Sequence, residues 1–120
     1  MAQGARGEGF VEVEGEQLPV LFTNRALAEA EPVIGRSMSQ VLRERDISVG
    51  DTARLLHIGM EYGRREAAKG GKAYTLNDAY RAMDAIGYIA AAGVVIESLI
   101  AVLTFRAGAP EEGAAEPPPA

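Results

Sequence analysis

The sequence predicts a mainly α fold with a small N-terminal β-hairpin, a compact bundle of about five helices packed on that hairpin. Three observations predict it. Apolar residues alternate with polar ones from Val11 to Phe22, then recur at helical spacing from Ala26 onward. Helix-start patterns of the Ser/Thr-x-x-Asp/Gln type open at Ser37, Ser48 and Thr75. Gly and Pro cluster between these segments and at the two ends.

The hairpin comes first. Val11 and Val13 alternate with Glu12 and Glu14, and Leu18, Val20 and Phe22 repeat that period. A two-residue turn at Gly15-Glu16 suits type II′, with Gly supplying a positive φ. That register pairs Val13 with Leu18 and Val11 with Val20, and places one apolar stripe on a single face. It also sets Pro19 against Glu12 at a hydrogen-bonded position, where proline has no N–H to give. Either the strand is an edge with one bond missing, or a bulge shifts the pairing. An isolated hairpin is marginal in water, so Val11, Val13, Val20 and Phe22 are expected to face a helical layer.

The helices follow in order. Asn24 is placed to cap a helix with apolar positions Ala26, Ala30, Val33 and Ile34, with a kink or break expected at Pro32 and a left-handed end at Gly35. Ser37-Met38-Ser39-Gln40 opens a short helix to about Arg45, and Ser48-Val49-Gly50-Asp51 opens one to about Glu66. Residues 67–74, with Gly70-Gly71, read as the main interhelical loop. Thr75-Leu76-Asn77-Asp78 then opens a helix with Leu76, Ala79, Tyr80, Met83 and Ile86 on one face.

A chain of 120 residues leaves room for one domain. That domain is assigned to residues 10–106. Residues 1–9 and the Pro/Glu/Ala-rich 107–120 lack apolar content and are expected to be disordered. There is no cysteine, which rules out a disulfide framework and thiolate metal sites and suits a cytosolic protein. No basic-then-apolar leader is visible, so no secretory signal is expected. The formal net charge is −5, but Glu111, Glu112 and Glu116 lie in the tail, so the charge of the folded part names no partner.

The stretch 86–105 has Glu97 as its only charge and is long enough to span a bilayer. On a helical wheel, Tyr88, Ile89, Val95, Ile96, Leu99, Ile100, Val102 and Leu103 fall on one arc of roughly 160°. Glu97, Ser98, Ala90, Ala91, Ala101 and Thr104 fall opposite. A lipid-facing helix has no reason to segregate its side chains so, and Glu97 at mid-bilayer would cost about 2.5–3.5 kcal/mol. The stretch therefore reads as a soluble helix, with no membrane partner. Its arc exceeds the ~100° that an ordinary amphipathic helix needs, so one edge is expected to reach another chain and the rest the core. A central core helix gives the same pattern. Tyr88, Ile89, Val95, Ile96, Leu99, Ile100 and Leu103 are the candidate partner-binding residues.

Nothing in the chain reads as catalytic. His57, the one histidine, lies between Leu56 and Ile58 on a helix, where a structural role suffices. No ligand set for a metal is spaced to work, and no cofactor is expected. Gly70-Gly71-Lys72 lacks the first glycine and the Ser/Thr of a phosphate loop, since Glu66 and Ala73 hold those places. Arg64, Arg65, Lys69 and Lys72 form the one basic cluster. It reads as cations at a helix end and in a solvated loop, or as a secondary polar contact. Residues 47–60 resemble a helix-turn-helix, but His57 stands where the turn glycine belongs, and the caps predict one unbroken helix. An acidic chain with one small basic patch is a poor match for a duplex. No nucleic-acid partner is expected, and a small helical DNA-binding regulator or other interaction domain is the alternative.

A wider resemblance covers residues 10–66. The order of strand, turn, Leu18-Pro19-Val20-Leu21-Phe22-Thr23-Asn24-Arg25-Ala26-Leu27, then Ile34-Gly35-Arg36-Ser37, resembles the tail assembly chaperones of long-tailed phages and gene transfer agents. In that family a hairpin precedes a Thr-x-x-Ala-Leu-x-x-x-Glu helix, matched by Thr23, Ala26, Leu27 and Glu31. A Gly-Arg/Lys-Ser step and a Leu-rich helix follow, matched by Gly35, Arg36, Ser37 and Leu42. Ala53, Leu55, Leu56 and Gly59 resemble the next helix's Ala-x-Leu-Leu-x-x-Gly. Pro32 and the strongly apolar last helix depart from the pattern. The resemblance implies a non-enzymatic protein of the host cytoplasm that coats the tape-measure protein and engages tail tube protein. It further implies a homo-oligomer that is absent from the mature virion.

Overall fold

The computed structural model describes residues 6–67 and 70–107. Two antiparallel strands, β1 (Arg6–Val13) and β2 (Glu16–Thr23), are followed by five helices: α1 (Asn24–Ile34), α2 (Met38–Glu44), α3 (Val49–Glu66), α4 (Leu76–Ile86) and α5 (Tyr88–Leu103). This is the expected fold class, a helical bundle built on an N-terminal hairpin.

The hairpin register differs from expectation, and the difference removes the proline problem. The turn is Glu14-Gly15, both with positive φ (53° and 81°), which is the type I′ turn suited to strand twist. Val13 therefore lies opposite Glu16, Val11 opposite Leu18, Gly9 opposite Val20 and Gly7 opposite Phe22. Counting from the pair that closes the turn, these are the hydrogen-bonded pairs. Pro19 faces Phe10 in a non-hydrogen-bonded pair, so its missing N–H leaves no gap in the ladder. The shift of two residues keeps every side chain on its expected face. Val11, Val20 and Phe22 are buried and Val13 is half-buried.

β1 also starts earlier than the apolar pattern suggests. Residues 6–9, expected to be disordered, are paired strand, whereas residues 1–5 lie outside the described residues. Gly7 explains why: a Cβ there would sit 2.0 Å from the Ser98 carbonyl oxygen. The strand is held by close backbone approach to α5, which a search for apolar side chains does not register.

Local chemistry sets the helix boundaries. Thr23, not Asn24, caps α1, its Oγ1 accepting from Ala26 N–H at 3.1 Å. The helix runs through Pro32 to Ile34 and closes on Gly35 in the left-handed region (φ 77°), so the helix does not break at Pro32. Ser37 and Ser48 cap α2 and α3 as expected, and Thr75 with Asp78 forms a reciprocal capping box on α4. Gly87 (φ 94°) separates α4 from α5, which are bent by 114°. Among the described residues no single helix is long and apolar enough to cross a bilayer.

α3 and α5 carry the hairpin. Gly59 and Gly63 let α3 descend onto β2, where added Cβ atoms would lie 2.7 Å from Val20 Cγ1 and 2.3 Å from the Pro19 oxygen. Leu55, Leu56 and Met60 extend this contact into one core with Val11, Phe22, Ala26, Val41, Met83, Val95 and Leu99.

Candidate functional site

The apolar arc of α5 is real, but the hairpin does not meet its centre. The buried residues are Ala91, Val95, Ser98, Leu99 and Val102, whose mean direction is rotated roughly 75° from the middle of the arc, at 3.6 residues per turn. Ser98 and Ala91, expected on the outer side, lie inside. Gly7 and Gly9 are the reason: they remove the side chains that would hold that side of α5 off the sheet. Two expected partner-binding residues, Val95 and Leu99, are fully buried and belong to the core.

Tyr88 is also a structural residue. Its hydroxyl donates to the Ile47 carbonyl in the loop between α2 and α3, tying the start of α5 to the start of α3. The remaining four candidates, Ile89, Ile96, Ile100 and Leu103, follow one another at seven-, four- and three-residue steps and so share a face. Ile89 is 79% exposed, and Ile96, Ile100 and Leu103 are half-buried. They form a ridge of large aliphatic side chains along the outer flank of α5. Ala90, Glu97 and Ala101 are also exposed but lie roughly 90–130° farther round the helix, away from the ridge.

The basic cluster does not come together as an open patch. Arg64 folds back on Glu61, which accepts from its Nε at 3.1 Å and from its Nη2. Arg65 gives Glu61 a longer bond (3.3 Å) and lies 5.3 Å from the centre of the Tyr62 ring. Lys72 is exposed in the loop, and Lys69 lies outside the described residues. Glu61 also accepts from Tyr74 N–H at 2.8 Å, while His57 Nε2 bonds the Tyr74 carbonyl at 2.8 Å. One turn of α3 thus holds both main-chain groups of Tyr74 and fixes the return of the loop into α4. Arg64, despite the burial of Glu61, holds its carboxyl down at about 2. Burial and a hydrogen bond to Glu29 push the Tyr62 hydroxyl up.

Sequence reasoning missed this clamp because Glu61 reads as one more helix-surface acid. The signal available was its spacing, four residues after His57 and three before Arg64. Residues 49–66 form one uninterrupted helix, so the stretch that resembles a helix-turn-helix contains no turn. Among the described residues no group of acids and histidine is arranged to hold a metal ion. Compared with protein-family models, with curated proteins and with solved structures, the chain matches none.

Proposed function

We propose that this chain is a tail assembly chaperone of a long-tailed phage or gene transfer agent. It covers amphipathic helix of the tape-measure protein and engages tail tube subunits in the host cytoplasm, and it is left out of the finished particle. The observation that carries this reading is the Ile89–Ile96–Ile100–Leu103 ridge, open to solvent at Ile89 and half-buried along the rest of the helix. There Ile96 and Leu103 lean on the core with apolar surface left over. Such a face suits helix-to-helix packing through anchors at three-, four- and seven-residue spacing. The resemblance across residues 10–66 supplies the identity of the client. Without a client, the same ridge pairs two copies of the chain.

The test is co-expression with the tape-measure protein of the same genome. Ile89→Arg and Ile100→Arg should abolish co-purification and remove any dimer seen by light scattering, with helix content unchanged by circular dichroism. Ala101→Arg, on the opposite side of α5, should bind as wild type. Retention of the tape-measure protein by both ridge variants would sink the proposal.

A further inference from the structure

A second surface lies on the hairpin, away from the ridge, and its geometry is that of an unfinished sheet. The register assigns the N–H and C=O groups of Gly7, Gly9, Val11 and Val13 to bonds with β2. Those of Glu8, Phe10 and Glu12 point the other way, out of the free edge of β1. No backbone or side-chain partner meets them among the described residues. The outer face of β2 carries Pro19 and Leu21 beside Phe10 and Glu8. Leu21 is 5% exposed, whereas Phe10 at the centre of the edge strand is 51% exposed.

Edge strands are usually protected by charged side chains, proline, a bulge or a covering loop. The acids Glu8 and Glu12 guard this one against self-pairing while leaving it open to a basic segment. Here the edge is regular, its centre is an exposed aromatic ring, and its flanks are acidic. Glu8, Glu12, Glu14 and Glu16 face a single cation on the two strands, Arg6, which is held by Glu8 at 3.1 Å and Glu66 at 3.0 Å. We propose that the β1 edge accepts an extended protein segment as a third, antiparallel strand. The segment carries an apolar residue opposite Phe10 and basic residues two positions to either side, opposite Glu8 and Glu12. Positions between these turn toward α5, where Gly9 lies beside Val94 and Ser98, so they must be small. A second copy of β1 is the wrong occupant. Paired about Phe10, it would set Glu8 directly against the other copy's Glu12, and like charges so placed repel. This inference does not depend on the chaperone reading.

The probe is the peptide Lys-Thr-Lys-Thr-Val-Thr-Lys-Thr-Lys, added to the full chain and followed by amide NMR and hydrogen exchange. Binding should shift and protect the amides of Glu8, Phe10 and Glu12, leaving Gly7 and Gly9 protected as before. N-methylation of the central valine, whose N–H meets the Phe10 carbonyl, should weaken binding by about tenfold or more, whereas N-methylation of the adjacent threonine should not. The same peptide with Glu for Lys should not bind. Ile100→Arg should leave peptide binding intact, so loss of the ridge function and loss of this one are separately visible. Three results would overturn the proposal: no shifts at millimolar peptide, equal binding by both N-methylated peptides, or protection of Glu8 and Phe10 by dimerisation without peptide. The second would reduce the effect to attraction between charges.

Discussion

α3 and α5 both pack on the hairpin, and they do so by opposite devices. α3 carries its own glycines, Gly59 and Gly63, and brings them down on the large side chains and backbone of β2. α5 carries large side chains and a serine, and the glycines belong to the strand, at Gly7 and Gly9. The consequence shows in what each helix buries. On α3, Leu55, Leu56 and Met60 are fully buried and Ile58 between them is half-buried. α5 meets a strand whose side chains have been removed, turns Ala91 and Ser98 inward beside Val95, Leu99 and Val102, and leaves Ile89 exposed and Ile96, Ile100 and Leu103 only half-buried. Where the glycines sit decides which side of each helix meets the sheet, and on α5 it is not the side with the most aliphatic surface.

Breaking the α3 contact should have the largest effect. Val20 is 1% exposed, lies against Gly59 and belongs to the apolar core. Val20→Asp should destabilise by about 4 kcal/mol or more, the cost of an unpaired buried charge, and leave the domain largely unfolded in thermal melts. A wild-type melting temperature would mean that the hairpin is not part of the core.

The glycines themselves come next. Gly7→Ala puts a methyl 2.0 Å from the Ser98 oxygen, and Gly63→Ala puts one 2.3 Å from the Pro19 oxygen. Neither obstacle is the end of a flexible side chain, so backbone must move. Each variant should lose about 2–3 kcal/mol in urea unfolding, at the upper end of what overpacking costs. If the two devices are equivalent, the two losses should match. A much smaller loss at Gly7 would show that α5 can lift off β1 while α3 cannot.

A smaller effect is expected at the Tyr74 clamp, which belongs to α3 and has no counterpart on α5. Glu61→Gln removes the charge that Arg64 and Arg65 meet but keeps an acceptor for Tyr74 N–H, so it should cost about 1–2 kcal/mol. The pH dependence has a definite sign. The Glu61 carboxyl titrates at about 2 in the folded chain against 4.5 for the free group. Its contribution is therefore complete above the unfolded value and is lost as pH falls from 4.5 toward 2. Urea midpoints should fall over that window in the wild type and fall less in Glu61→Gln. Parallel curves would place the acid sensitivity elsewhere.

Much of this architecture is legible in the residues. Ser37, Ser48 and Thr75 announce their helices because a capping hydroxyl acts within three residues, a range that sequence displays directly. The alternation at Val11, Val13, Leu18, Val20 and Phe22 identifies the inner face whichever turn is chosen, since a shift of two residues preserves it. What could not be read was the turn itself, because Glu14 at positive φ breaks the usual preference for Asn, Asp or Gly. The buried side of α5 was hidden for a related reason. Hydropathy weighs side chains, and the contact is made by glycines, which have none. Of the seven residues expected to bind a partner, Val95 and Leu99 went to the core and Tyr88 to a hydrogen bond. All three lie on the side of the arc that Gly7 and Gly9 draw inward.

The finest comparison is between glycines that touch something and one that does not. Gly93 lies in the interior of α5, and a Cβ there would meet nothing within 4 Å. It is not among the positive-φ glycines, so alanine can take its conformation without strain. Gly93→Ala should therefore stabilise the domain by about 0.5–1 kcal/mol, the helix-propensity difference between the two residues, and raise the melting temperature slightly. A loss instead would mean that something closes over that flank of α5 in solution. Light scattering on the same sample decides what: a self-associated wild type converted to monomer by the alanine would place the second copy against Gly93, beside the Ile89–Leu103 ridge. A gain in stability with unchanged association would show that helix propensity alone acts there, and that close packing through glycine is confined to the helix contacts with the hairpin.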